Sequence, residues 1–339
     1  MRRLLDVVVL ALAMVFVAAP VAAQGLEKPK LTIGVGGKSL IYYLPLTIAE
    51  RKGYFKEEGF DVEILDFPGG AKALQALLGG SVDIVSGAYE HTISQQAKGQ
   101  PIEALVLQGQ YSAIVLAMPK AKAAAYKSPA DLKGMKIGVT APGSSTNMFV
   151  NILLAKAGLK PDAVSIIGVG GGAGAVAIMK RGELDALSNL DPVIAQLESD
   201  GTAVPVVDTR TAKGMQEVYG GAYAAGCIYA PAEFAKKNPR TAQAVVNAMV
   251  RALRFIQHST LDEIVAAVPS EYYTDKALYK AALAKNIESF KHDGSISTAA
   301  GEHVAHDLLA FDPTMQGKKI DLAKTVDMSF QQQAAQKYK

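Results

Sequence analysis

The chain has 339 residues, about half of them hydrophobic, with a formal net charge of +3 and a single cysteine, Cys227. This length allows two domains, because single cores stop growing near about 250–300 residues. The weak, dispersed charge excludes an extended nucleic-acid surface, so no nucleic acid is expected as a partner. One cysteine excludes an internal disulfide, and its place in an apolar run predicts a buried structural thiol.

The first 23 residues have the three parts of a secretory signal peptide. Arg2 and Arg3 precede an apolar run at 7–19, and small residues lead to Ala23. A membrane-spanning helix needs about 20 apolar residues, more than this run provides, so a cleaved signal is favoured over an anchor. We expect cleavage after Ala23 and a secreted, periplasmic mature chain.

A loose internal repeat is the most informative feature of the remaining sequence. Each copy reads as strand, helix, strand, glycine pair, helix and strand. Ile33 and Ile137 are equivalent in the first strands, and Asp83 and Asp185 in the last ones. The alternation of short apolar runs with helical stretches predicts a mainly parallel sheet with helices on both faces. The sequence therefore predicts an α/β fold of two lobes with like topology.

Two extended apolar stretches, 103–117 and 220–230, are expected to cross between the lobes. After the second, Asn238-Pro239 predicts the start of a helix that runs to about 258. Further helices follow and are expected to return to the first lobe, while the polar tail at 331–339 is expected to fray. The predicted organisation is a signal peptide at 1–23, a first lobe made of 28–110 and 226–330, and a second lobe at 111–225.

The loops that follow the strands are the candidate binding segments, because ligands of such sheets lie beyond the carboxyl ends of the strands. These loops are 36–43, 67–71, 86–91, 140–146, 168–173 and 188–191. The strongest signal is Ser144, Ser145 and Thr146, which open a helix directly after a strand. Helix N-termini offer unpaired N–H groups and a favourable dipole, so these hydroxyls predict an anion cradle. The alternative is that these hydroxyls only cap the N-terminus of the helix.

The other loops allow more than one interpretation. The glycine-rich segment 168–174 resembles a dinucleotide loop, but no convincing acidic partner follows it, so we interpret it as a tight loop that lets backbone approach a ligand. Tyr42 and Tyr43 either form a wall of the cleft or pack in the core. Glu90 and His91 either bind a polar or cationic group or begin a solvated helix.

No pattern in the sequence indicates catalysis. The five histidines form no metalloprotease motif, and His303 and His306 can share a helix face without an evident third ligand. A nucleophile elbow, a phosphate-binding P-loop and a defensible cysteine–histidine pair are all absent from the sequence. We therefore expect no enzymatic activity, no cofactor and no metal.

Several segments are similar to the ABC-importer solute-binding family that includes nitrate, alkanesulfonate, taurine and thiamine-pyrimidine binders. The matching segments are 44–59, 79–83, 129–139, 182–186 and Asn238-Pro239. The resemblance implies a two-lobed periplasmic binding protein of type II, with a small-molecule ligand in a cleft that closes about a hinge. It also implies a membrane permease as partner and a monomeric protein.

The resemblance implies ligand contacts by position, and the loops after the strands add three more. The family positions fall on Ser39, Tyr42, Ala71, Glu90, Ser144, Ser145, Thr146, Asn189 and Asp191. The added positions are Gly70, His91 and Ala173.

The predicted function is the periplasmic solute-binding component of an ABC importer, with a small organic anion such as a sulfonate or carboxylate as ligand. Three alternatives stay open. They are a binder of thiamine-pyrimidine precursors, a sensor that docks on a membrane receptor, and an enzyme of related fold. The eukaryotic pyrimidine synthases of related fold carry a cysteine-rich motif that this sequence lacks.

Overall fold

The computed structural model describes residues 25–312 and 314–339, so the signal peptide predicted at 1–23 lies outside the described residues. The described residues form ten strands and fifteen helices. The strands are β1 (Lys30–Gly36), β2 (Asp61–Phe67), β3 (Ile84–Ala88), β4 (Ile102–Gly109), β5 (Val115–Met118), β6 (Lys136–Val139), β7 (Ser165–Gly168), β8 (Ala186–Asn189), β9 (Val204–Asp208) and β10 (Gly226–Pro231). The helices are α1 (Leu44–Arg51), α2 (Tyr54–Glu57), α3 (Gly70–Leu78), α4 (Glu90–Ala97), α5 (Lys120–Ala125), α6 (Ser145–Lys156), α7 (Ala173–Lys180), α8 (Val193–Ser199), α9 (Ala212–Val218), α10 (Ala232–Lys237), α11 (Pro239–His258), α12 (Leu261–Ala267), α13 (Lys276–Asn286), α14 (Thr298–Phe311) and α15 (Ser329–Lys337).

The strands form two five-stranded sheets of the same topology. The first has the order β2-β1-β3-β10-β4 and the second the order β7-β6-β8-β5-β9. In the first sheet β10 is antiparallel to both of its neighbours, and β5 is antiparallel to both of its neighbours in the second. The strands β1 to β3 and β6 to β8 pair in parallel. The predicted α/β fold of two like, mainly parallel lobes is confirmed.

The repeated aspartates have the same structural task in both sheets. Oδ2 of Asp83 accepts the backbone N–H of Thr32 at 2.9 Å, and Oδ2 of Asp185 accepts that of Lys136 at 2.6 Å. The N–H groups of the two aspartates donate back to the carbonyl oxygens of the same partners. Each aspartate therefore ties the start of its lobe's third strand to the first.

Within the described residues, the chain crosses between the sheets twice. It leaves the first sheet after Gly109, enters the second at Val115, and returns at Gly226. Cys227 lies on β10 with 0% of its surface exposed, and burial raises the pKa of its thiol well above the usual value. The predicted buried thiol is confirmed, while the lobe boundaries at 110/111 and 225/226 stay a prediction.

Helices from the last third of the chain cover the first sheet. The helix predicted from Asn238-Pro239 is α11, which buries a stripe that includes Val245, Met249 and Leu253 and packs against α1, β4 and α15. The frayed tail predicted at 331–339 is wrong for most of its length, because α15 packs on α11 and Tyr338 donates a hydrogen bond to Glu58. None of the helices in the described part of the chain has the length and apolarity needed to cross a bilayer.

Candidate functional site

The two lobes touch through the loops that follow β2 and β6. The backbone N–H of Ala71 donates to Oγ of Ser144, the residue before α6, at 2.9 Å. Nε2 of His91 lies 3.4 Å from the carbonyl oxygen of Gly143. A Cβ on Gly70 would lie 3.4 Å from Cε1 of His91 and 4.0 Å from Oγ of Ser144. Gly70, Ala71, His91 and Ser144, all predicted site residues, are therefore brought together between the lobes.

The same loops leave no room for a side chain between their backbones. A Cβ on Gly69 would lie 2.9 Å from Cβ of Ala141 in the other lobe, closer than Cβ atoms pack. On the far side of this contact, the N–H of Ile41 donates to the carbonyl oxygen of Asp191 at 2.9 Å. The lobes are thus closed directly on each other, and glycine at 69 is what permits the approach.

The three hydroxyls at the start of α6 are used differently from one another. Ser144 makes no side-chain cap to its own helix, so plain N-capping is wrong for this residue, whose Oγ instead reaches across to the other lobe. Oγ1 of Thr146 accepts the N–H of Thr140 at 3.0 Å and lies 2.9 Å from Oγ1 of Thr140. Ser145 is half-buried. The anion cradle stays a prediction, with two of its three hydroxyls already engaged by the protein.

Glu90 lies at the centre of a buried polar group behind this contact. It is 3% exposed and His91 is 1% exposed, so neither begins a solvated helix. Oε1 of Glu90 accepts a hydrogen bond from Oη of Tyr223 at 3.0 Å, whereas Oε2 has no hydrogen-bond partner among the described residues. The rings of Tyr219 and Tyr223 have centroids 4.2 Å apart. Burial raises the pKa of Tyr42, and the negative charge of Glu90 raises it further. We call Tyr42, Glu90, Tyr219 and Tyr223 the Glu90 cluster.

Burial changes the protonation of Glu90 and His91 in opposite directions. Desolvation, helped by the charge of Asp307, raises the pKa of Glu90 to about 7. Desolvation lowers the pKa of His91 to about 4. Because burial penalises the charged form of each group, His91 is neutral at pH 7 and Glu90 is near the middle of its titration.

Asp191 is held by partners within the protein. One of its carboxylate oxygens lies 3.2 Å from Nη1 of Arg210, and the same oxygen accepts the amide of Asn286 at 2.7 Å. Arg210 also contacts Glu198 at 2.9 Å and Asp208 at 2.6 Å. Arg210 is 1% exposed, so its three carboxylates are the groups that make a buried guanidinium tolerable. Whether Asp191 also contacts a ligand stays a prediction.

The remaining predicted residues lie apart from the Glu90 cluster. The amide of Asn189 donates to the carbonyl oxygen of Gly170 at 3.0 Å and so braces the glycine-rich loop. Ser39 and Ala173 lie on an outer groove of about 470 Å³. This outer groove is lined by Ser39, Gly171, Gly172, Ala173, Val176, Ala177, Lys180, Pro192, Val193, Gln196, Glu271, Tyr272, Tyr273, Thr274, Asp275, Leu278 and Tyr279.

Sequence reasoning missed several residues of this region. Tyr223 and Tyr229 were not selected, although both lie in the predicted crossing segment 220–230, and Oη of Tyr229 lies 3.1 Å from Nδ1 of His91. Crossing segments border the space between lobes, so their tyrosines were a usable signal. Arg210 offered no such signal, because its three carboxylates come together only through the order of the strands.

The paired histidines near the end of the chain do not extend this site. The rings of His303 and His306 have centroids 6.5 Å apart, and Nδ1 of His306 lies 3.3 Å from a carboxylate oxygen of Asp307. Within residues 25–312 and 314–339, no group of three or more His, Cys, Asp or Glu side chains is arranged to hold a metal ion.

Comparison with known families and structures gives consistent results. The model of the NMT1-like family matches residues 24–270. A solved structure from Bordetella bronchiseptica RB50 is 54% identical, covers 93% of this chain and 99% of its own, and superposes with a TM-score of 0.90. The alkanesulfonate-binding protein SsuA from Xanthomonas axonopodis pv. citri, solved with MOPS bound, is 20% identical over 89% of this chain and 99% of its own, with a TM-score of 0.71. At that identity the likeness to SsuA shows the fold alone.

Curated relatives match a smaller part of the chain. A 4-amino-5-hydroxymethyl-2-methylpyrimidine phosphate synthase of Saccharomyces cerevisiae is 27% identical over 135 residues, which are 39% of this chain and 38% of the yeast protein. The chain therefore spans less than two fifths of the length of the curated relatives it matches first.

Proposed function

The chain belongs to the NMT1-like family, and on that premise we propose that it is the periplasmic solute-binding component of an ABC importer. It captures a small molecule between the two lobes, beside the contact of the loops at 67–71 and 140–144. The observation that carries the proposal is the hydrogen bond from the N–H of Ala71 to Oγ of Ser144, which joins the strand-end loops of two like sheets. The alkanesulfonate-binding protein SsuA has the same fold, which supports a binding role.

Closure of the two lobes is the proposed working motion. The two crossing segments, 109–115 and 208–226, connect the lobes beside the Glu90 cluster and are placed to act as the hinge. The direct hydrogen bonds between the loops are few, and each contributes only about 1 kcal/mol in net terms. A ligand that bridges the lobes shifts the population toward the closed form, which the permease recognises.

The buried groups at the contact do not favour the small organic anion that the sequence predicts. Ser144 and Thr146 are engaged within the protein, and the ionisable side chains beside the contact include the acid Glu90 and the neutral His91. The proposal is therefore capture of a small organic molecule, without an anionic group as a requirement.

Thermal-shift measurements on the purified mature chain test this proposal. The panel contains sulfonates, carboxylates, nitrate, pyrimidines and small amines. A ligand at a hundred times its Kd stabilises the folded state by about 2.7 kcal/mol, which corresponds to a rise in Tm of about 5–10 °C. We expect at least one compound to give such a rise. A flat response across the panel contradicts capture of a small molecule.

The yeast relative supports a second candidate, a binder or converter of thiamine-pyrimidine precursors. Its support is the 27% identity over 135 residues to a protein named as a pyrimidine phosphate synthase. Incubation of the protein with pyrimidines, followed by mass spectrometry of the mixture, separates the two possibilities. New products indicate a synthase, whereas a bound and unchanged pyrimidine indicates a binding protein.

A further inference from the structure

The carboxylate of Glu90, beside the lobe contact, has one oxygen that the protein leaves unpaired. Its Oε1 is paired with Tyr223, but its Oε2 is buried and unpaired within the described residues. A buried acceptor without a donor costs about 1–3 kcal/mol, and more when it is charged. Glu90 is the first residue of α4 and follows β3, so it lies at the sheet edge where ligands of this fold class bind.

Among the described residues, no cation is one of the groups that set the pKa of Glu90. Of the charges that act on Glu90, the one that raises its pKa is another acid, Asp307. His91 is neutral at pH 7 because burial lowers the pKa of its ring to about 4. The buried guanidinium of Arg210 is already paired with the carboxylates of Asp191, Glu198 and Asp208.

The tyrosines of the Glu90 cluster also favour a positively charged group over an anion. Tyr42, Tyr219 and Tyr223 are all less than a tenth exposed, and the Tyr219 and Tyr223 rings lie against each other. Aromatic ring faces carry partial negative charge and attract cations, by about 0.5–2 kcal/mol depending on desolvation. An acid surrounded by tyrosines therefore suits a group that carries N–H donors.

Resting on the proposed capture between the lobes, we propose that the ligand presents an N–H donor, as an ammonium, amidinium or ring amino group, to Oε2 of Glu90. The donor pairs the unsatisfied oxygen, and the tyrosines enclose the group that carries it. An anion of the same size meets Glu90 with like charge, so the cluster discriminates against it. This ligand class differs from the sulfonate or carboxylate predicted from the sequence.

The test uses two sets of small aromatic compounds of similar size at pH 8. Benzylamine, benzamidine and 2-aminopyridine carry N–H donors, whereas benzoate and benzenesulfonate have similar size and negative charge. Thermal shifts and calorimetry are measured for the wild type, for Glu90→Gln and for Glu63→Gln. Glu63→Gln is the same change at an exposed position on β2. The melting curve of Glu90→Gln without ligand shows whether the variant folds.

We expect the donor-bearing compounds to stabilise the wild type and the Glu63→Gln variant, and Glu90→Gln to bind them at least about tenfold more weakly. Stabilisation by the anions alone overturns the inference about Glu90 and leaves capture between the lobes intact. Equal binding of the donors by Glu90→Gln also overturns it. If none of the compounds in this panel or in the first one stabilises the wild type, both proposals fall.

Discussion

At the scale of single residues, Glu90 and His91 show how burial decides the behaviour of adjacent groups. The sequence places both after the third strand but does not tell whether they face water. The structure buries both, and their pKa values move to about 7 and about 4. The free energy of unfolding therefore depends on pH through both groups, and their contributions change in opposite directions as pH rises.

The pH dependence of Glu90 leads to a prediction about stability. Its folded-state pKa, about 7, is above the ordinary 4.5, so between these values the folded state binds more protons and stability falls as pH rises. The full difference corresponds to about 3 kcal/mol. We expect Glu90→Gln to melt higher than the wild type at pH 8, with the difference shrinking toward pH 4.5.

Differential scanning calorimetry of both proteins from pH 4.5 to 8 measures this difference directly. The contribution of His91 is common to both proteins. Its folded-state pKa is depressed, so His91 costs stability as pH falls from about 6.5 toward 4. Subtracting one curve from the other removes that contribution. A difference that does not change with pH would show that Glu90 is not buried as an acid.

Other single residues could not be assigned from the sequence. Ser144 was selected for an anion cradle, but its Oγ receives the N–H of Ala71 from 73 positions away. Asp191 was selected by its place after a strand, but its charge is balanced by Arg210 and its oxygen is bound by Asn286. Such partners meet through tertiary contacts, and a local pattern carries no trace of them.

At the scale of secondary-structure elements, the internal repeat was a reliable guide to the fold. It predicted the strands β1 to β3 and β6 to β8, because each of these strands is a short apolar run flanked by a glycine or an aspartate. The third strand of each copy was placed a few residues early. The reason is that Asp83 and Asp185 were counted as part of these strands. In the structure they precede the strands, and their side chains accept N–H groups at the start of the first strand of each lobe. The tail at 331–339 was mispredicted because its few apolar residues, such as Ala334, pack on α11.

The helix starts of α3 and α6 give a prediction about closure. Ser144→Ala removes the acceptor of the Ala71 N–H, and leaving a buried donor unpaired costs about 1–3 kcal/mol in the closed form. We expect the Kd for a stabilising ligand to rise by about tenfold with little change in the unliganded Tm. Titration calorimetry measures the affinity.

Ser165→Ala is the matched control, because Ser165 is exposed on β7 of the same lobe. It should bind like the wild type. An unchanged Kd for Ser144→Ala would show that this hydrogen bond does not contribute to ligand-linked closure.

At the scale of the whole molecule, the proposed function requires two lobes that close on a ligand. Two glycines that directly precede helices, one in each lobe, separate closure from local effects on the fold. Gly69 precedes α3 and Gly172 precedes α7, and both have extended backbone that accepts any residue. A Cβ at 69 meets Ala141 of the other lobe at 2.9 Å, whereas a Cβ at 172 has no atom within 4 Å.

Ligand affinity measured by titration calorimetry on Gly69→Ala and Gly172→Ala tests capture between the lobes most directly. Both variants replace a glycine before a helix by alanine, so their local costs match, and only the change at 69 obstructs closure. We expect Gly69→Ala to bind the ligand at least about tenfold more weakly than the wild type and Gly172→Ala to bind it equally well. Equal affinity of the wild type and Gly69→Ala, or a loss confined to Gly172→Ala, would contradict capture at the contact between the two lobes.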